Sequence, residues 1–200
     1  CDRRAPIYTG RSWTTVEGAP VLGCSRGCES PNTQTPKHVN PFARIAEEHA
    51  DASGAERRAR ISKAIGATIP FVATAGCTVE TYTPTCVVVR LDDRETVHNH
   101  IGGMHAAAMG LLAETATGLV VALNLTPPAV PLLRTMTMDF RRLAEGAVRA
   151  EATLSDAETT RLRERPIGKI DVTVQCSDDS EQTPVDGTLQ WAWVPEDRLT

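Results

Sequence analysis

The stretch 103–123, GMHAAAMGLLAETATGLVVAL, limits this chain more than any other. Its apolar residues run nearly all round a helix rather than along one face, which means burial on every side. Ala, Gly and Thr dominate it, so surrounding backbone must approach closely. Aromatic residues make up only 4% of the 200 residues. The core is therefore expected to consist mainly of Ala, Val, Leu and Ile, wrapped tightly around this helix.

The elements that would wrap it are legible as alternation. In 135–140, Met136, Met138 and Phe140 share one face, read as core adjoining a pocket rather than pocket itself. Val148, Ala150, Ala152 and Leu154 alternate with polar residues, as do Ile170, Val172, Val174 and Cys176. Leu189, Trp191 and Trp193 repeat the pattern and read as ordinary packing. A period of two with one wet face is the habit of an antiparallel sheet. Upstream, 72–82 and 86–91 flank Thr83-Pro84-Thr85 as a hairpin. One or two amphipathic helices, broken near Ser53-Gly54, are expected over 42–65. Residues 1–41, rich in Gly, Pro, Ser and Thr, read as an extended arm. The expected architecture is α+β: about six antiparallel strands around one buried helix, in a single domain over 42–200 with a preceding helical segment.

A net charge of −4 argues against a general nucleic-acid binder. Asn124, Pro127, Pro128 and Pro131 interrupt the longest uncharged stretch, which excludes it as a membrane span. Six cysteines are too sparse for a disulfide scaffold. Cys24 and Cys28 form half a zinc site with no second pair at suitable spacing, and no metal or other cofactor is expected. The chain opens at Cys1, which reads as a fragment or processed form. The cytoplasm is the expected compartment.

Chemistry concentrates in VHNHIGGMHAAAMGLLAETATG. A glycine-rich turn (Gly102, Gly103) entering a helix leaves backbone N–H groups unpaired, and the helix dipole adds positive charge there. Such a place suits a carbonyl oxygen turning into an oxyanion. Glu114 is the only acid in the apolar stretch, and burial would raise its pKa toward that of a general base. His105 and Glu114 lie nine residues apart, about 900° and about 13 Å along a helix. They cannot converge on one small substrate from one straight helix. If both act on one bond, Glu114 comes from a second copy, and a homodimer with two sites follows.

The run Asn99-x-x-Gly102-x-x-His105, followed nine residues later by an acid in Leu-Ala-Glu-Thr-Ala, resembles the hotdog-fold acyl-CoA thioesterase superfamily. It is nearest the phenylacetic-acid-pathway and dihydroxynaphthoyl-CoA types. The order of two strands, long helix and four strands fits as well, and Thr137-Met138-Asp139-Phe140-Arg141-Arg142 resembles the strand after the family's helix. The resemblance spans about residues 67–195. It implies hydrolysis of an acyl-CoA in a homodimer or homotetramer. Asn99 would position the thioester or water, and the N–H of Ala106 would donate to the oxyanion. His105 would shape the turn, and Glu114 would act as base or nucleophile from the opposite subunit. Ala106 and Ala107 replace the family's two glycines. Gly118 stands where some members carry a hydroxyl, with Thr115 and Thr117 close by as substrate contacts.

Arg141 and Arg142, with Arg161, Arg163, Arg165 and Lys169 in turns between strands, are candidates for coenzyme A phosphates. Competing readings are a non-catalytic acyl-binding or dimerisation module and a hotdog dehydratase or isomerase. Glu114 as a structural carboxylate at a dimer interface belongs with the former.

Overall fold

The computed structural model describes residues 40–199. Cys24, Cys28 and nearly all of the expected arm lie outside them. The chain enters through α1 (Pro41–Glu48), α2 (Gly54–Thr68) and α3 (Pro70–Ala75). Strands β1 (Thr78–Tyr82) and β2 (Cys86–Leu91) follow, then the long α4 (Ala106–Ala122). β3 (Ala129–Phe140), β4 (Val148–Thr153), α5 (Asp156–Glu164), β5 (Gly168–Asp178) and β6 (Val185–Pro195) complete the order. Asn40 already fastens the entry to the core, donating to Ala122 O (2.7 Å) and Leu125 O (2.8 Å) while its Oδ1 caps α1.

The described strands form one antiparallel sheet in the order β1-β2-β4-β5-β6-β3. Its inner face carries Val87, Val89, Ala150, Ala152, Val172, Val174 and Leu189, all buried against α4. This is the hotdog fold. The expected strand sequence and central helix hold. No helix among the described residues is long and apolar enough to cross a membrane.

Three boundaries differ from expectation. Residues 70–75 form α3 rather than the start of a strand, because Pro70 suits a helix's first turn and Gly76 ends it at φ 68°. Residues 156–164 form α5, opened by a capping box in which Ser155 and Glu158 exchange hydrogen bonds. Arg161 and Arg163 therefore sit on a helix and not in a turn. α4 begins at Ala106, three residues later than the apolar run suggested, because the preceding glycines are spent on a turn.

Small residues set how closely the layers approach. Trp191 lies on Gly118, where a Cβ would come within 2.8–2.9 Å of its ring carbons. The indole N–H donates to Thr117 Oγ (3.1 Å), and that hydroxyl donates to Ala113 O (2.9 Å). β3 carries one bulge, between Leu133 and Thr135, so Arg134 is left over from the pairing with β6.

A second fastening holds the β3–β4 connection to the β5–β6 turn. The Asp178 carboxylate, fully buried, accepts from Arg142 Nη2 (2.5 Å), Ser180 Oγ (2.7 Å) and the backbone N–H groups of Glu145, Ser180 and Gln182. Burial pushes this carboxyl up, but the hydrogen bonds from Ser180, Glu145 and Gln182 together outweigh burial and bring its pKa down to about 2.

These contacts set how the fold responds to substitution. Gly118→Ala should lose about 1 kcal/mol in denaturant unfolding, because overpacking against Trp191 exceeds the gain in helix propensity. Gly110→Ala in the same helix, whose Cβ would meet only Met136 Sδ at 3.8 Å, should gain about 1 kcal/mol. Asp178→Asn should lose about 2 kcal/mol at neutral pH. A carboxyl with lowered pKa stabilises above its unfolded value and stops doing so as pH falls through its folded one. The gap between variant and parent should therefore close between about pH 4 and pH 2 in thermal melts.

Candidate active site

The turn before α4 is built around Asn99. Its Oδ1 accepts from the N–H groups of Ile101 (3.0 Å) and Gly103 (3.2 Å), and its backbone N–H donates to Gly103 O (2.8 Å). Gly102 closes the turn at φ 79°, a left-handed conformation that a side chain would strain. His105 then caps the helix. Its backbone N–H donates to Val97 O (2.8 Å), and its Nδ1 accepts from Ala107 N–H (2.9 Å). An imidazole accepting at Nδ1 carries its proton on Nε2.

This arrangement decides which backbone donor stays free. Ala108 and Met109 N–H both donate to His105 O, and Ala107 N–H is taken by the ring. The N–H of Ala106 has no acceptor among the described residues. It stands at the positive end of the helix dipole.

Ala106 opens onto an apolar groove of about 640 Å3, bounded by α4, by Phe71 of α3 and by Met136, Met138 and Phe140 of β3. Ala106, Gly110 and Glu114 follow one another at i, i+4 and i+8 and face this groove together. The half-turn expected between His105 and Glu114 therefore does not separate the Ala106 donor from Glu114 in direction. The axial distance remains, about 12 Å over eight residues. Glu114 is half-buried, and its carboxylate has no hydrogen-bonding or ionic partner among the described residues. Burial pushes its pKa up. Beyond Glu114 the groove continues into a smaller lobe of about 280 Å3 between Phe42, Ile69, Pro131 and Trp191.

Other anticipated residues fall elsewhere. Gly103 serves the Asn99 turn. Thr115 borders the lobe, but its hydroxyl donates to Leu111 O (2.7 Å). Thr117 is wholly buried and holds Trp191 in place. Arg141 makes a bidentate pair with Asp186 (2.8 and 3.0 Å), and Arg142 is committed to Asp178. His98 pairs with Asp93 (2.6 Å). No three His, Cys, Asp or Glu side chains among the described residues are grouped to share a metal ion.

The face of Met136, Met138 and Phe140 needs correction. Met138 packs against the core as expected, but Met136 and Phe140 are exposed along the groove, because β3 lies at the sheet edge. Sequence reading missed Phe42, Ile69 and Phe71 as groove residues. The signal available was Pro70 and Gly76, which frame the helix that carries Phe71 beside α4. On the opposite face of the sheet, Thr137, Glu151, Thr173 and Thr188 line a polar trough of about 500 Å3 remote from the helix start.

Comparison with solved structures agrees with this architecture. A Pseudomonas aeruginosa protein of unknown function, described as a probable thioesterase, is 26% identical, with 68% of this chain and 93% of that one covered at a TM-score of 0.61. A thioesterase from Haemophilus influenzae is 14% identical, covering 67% and 90% at 0.56. A thioesterase enzyme from Staphylococcus aureus, solved as a mutant, is 21% identical, covering 63% and 99% at 0.55. No curated protein matches the chain in sequence. The sequence model of the family described as "Domain of unknown function (DUF4442)" matches residues 57–194. The chain belongs to the DUF4442 family, within the thioesterase-like hotdog superfamily.

Proposed function

We propose that this protein is an acyl-CoA thioesterase that works as a homodimer. The observation that carries the reading is a pairing on one groove. A free backbone donor at Ala106 and a carboxyl raised by burial at Glu114 both open onto an apolar channel. The similarity to structures described as thioesterases supports the same class of reaction.

In this mechanism the thioester oxygen takes the Ala106 N–H, which strengthens as negative charge develops. Glu114 removes a proton from water, and the water oxygen bonds to the carbonyl carbon. The C–S bond then breaks, and the proton passes to the departing thiolate, leaving a free acid and a thiol. Asn99, His105, Gly102 and Gly103 act by shaping the turn that aims the donor. The Asn99 amide NH2, its oxygen already engaged, is the part left to meet substrate or water.

A separation of about 12 Å is too long for donor and base of one copy to act on one carbon. Glu114 of a second copy resolves this. Support for a dimer lies in β3, an edge strand carrying exposed Met136 and Phe140. A bare apolar edge of this kind invites pairing with another chain. Dimers pairing further into tetramers are compatible with the same site. Arg141, exposed beside the groove's end, and Arg142 would meet coenzyme A phosphates only by sharing their present carboxylate partners.

Incubation with acyl-CoA and detection of free thiol tests the activity. Glu114→Gln should lower kcat by about 10²-fold or more, the usual contribution of a general base. The acidic limb of the parent's pH–rate profile should lie above the ordinary carboxylate range, because the base works only when ionised and burial has raised its pKa. A Glu114→Gln variant with parental rate, or a profile flat through that region, overturns the assignment. The same substitution should raise Tm at neutral pH. A raised carboxyl pKa means the folded state favours the proton, so ionisation of Glu114 costs stability as pH rises and Gln escapes that cost.

A further inference from the structure

The small lobe beyond Glu114 differs in character from the long groove before it. Its walls are Phe42, Ile69, Leu119, Pro131 and Trp191, and Glu114 at the mouth is its only charged group among the described residues. Thr115 also borders it, but its hydroxyl is turned to Leu111 O. The lobe therefore offers no donor to a polar or anionic group, and it places a carboxylate where such a group would enter.

The far wall is fixed. Trp191 is 4% exposed, lies hard against Gly118 and has its N–H held by the buried Thr117. It cannot swing aside without breaking that hydrogen bond and lifting off the helix. Trp191 thus gives the lobe one rigid wall, with Phe42, Ile69 and Pro131 around its open side. At about 280 Å3 the lobe is nearly twice the roughly 150 Å3 of a dry apolar cavity that holds benzene. Acetyl would leave it mostly empty, while a medium-length chain or a fused ring would fill it.

We propose that this lobe is the acyl subsite, and that it selects neutral apolar acyl groups of medium size against short and dicarboxylic ones. The inference rests on the thioesterase reading for the identity of the ligand. In a dimer, the acyl group enters the lobe of the copy that supplies Glu114, and the coenzyme runs along the longer groove toward the helix start. Trp191 and Phe42 are then specificity-determining residues.

Binding tests this separately from catalysis. The full parental chain, with Glu114 in place, is titrated calorimetrically with the non-hydrolysable oxoalkyl thioether analogues of decanoyl-CoA, acetyl-CoA and succinyl-CoA. The decanoyl analogue should bind at least about tenfold more tightly than either of the others. Ala122→Leu, which adds bulk where α4 borders the lobe, should bring the decanoyl-to-acetyl ratio within about twofold. If thermal unfolding shows that this variant does not fold, Phe42→Ala makes the same test by removing a wall, and should weaken the decanoyl analogue while sparing the acetyl one. Equal affinity for the three ligands, or a folded variant that keeps the parental ratio, overturns the subsite. Preserved ordering without any thiol release by the parent would instead overturn the hydrolase reading and leave the subsite standing.

Discussion

Everything in this structure depends on how closely α4 sits against the sheet. Ala113 and Ala116 of α4 and Ala150 and Ala152 of β4 are fully buried, and Gly118 meets the flat ring of Trp191, so helix and strands approach closely. Dispersion contacts are individually weak, and their sum rises steeply when surfaces close to contact distance. Small residues give that closeness. The same closeness leaves no space for a charged group on the inner faces of the helix, which confines Glu114 to the face the sheet does not cover.

The uncovered face exists because the sheet outruns its helix. α4 fills the concavity beneath β2, β4 and β5, but β3 at the sheet edge extends past it, and the gap becomes the groove. Helix start and helix middle then play different parts. The start presents a directional donor through unsatisfied backbone, and the middle presents a carboxyl desolvated by its surroundings. Both are consequences of burying a helix whose ends and one stripe remain open.

Much of this was legible in the sequence, and the reasons are specific. Alternation found β4, β5 and β6 because each has one face on α4 and one in water. Glu114 stood out because it is a lone acid among Ala, Leu and Thr on a buried helix, where a carboxylate needs either a partner or a task. Alternation also put Met136, Met138 and Phe140 on the correct face, but it carries no information on what lies opposite. Whether a strand's apolar face meets a helix or a void is decided by neighbours distant in sequence. Residues 70–75 escaped because a short apolar run has no period of its own, although Pro70 and Gly76 marked its ends. α5 escaped although Ser155 and Glu158 spelled out its cap. The commitments of Arg142 to Asp178 and of Thr117 to Trp191 span 36 and 74 residues, and no local pattern foretells them.

The bulge at Arg134 gives β3 a dual character. Before it, odd-numbered Pro131 and Leu133 look inward, opposite Trp193 and Trp191; after it, even-numbered Met136, Met138 and Phe140 do so, opposite Leu189, Gly187 and Val185. One supernumerary residue thus acts as a frameshift in the register of side chains, letting a single strand furnish both the lobe and the long groove. Length and parity are coupled here: removing one residue from β3 would scarcely shorten the channel, but it would turn one half of its wall inside out, setting threonines where methionines had been.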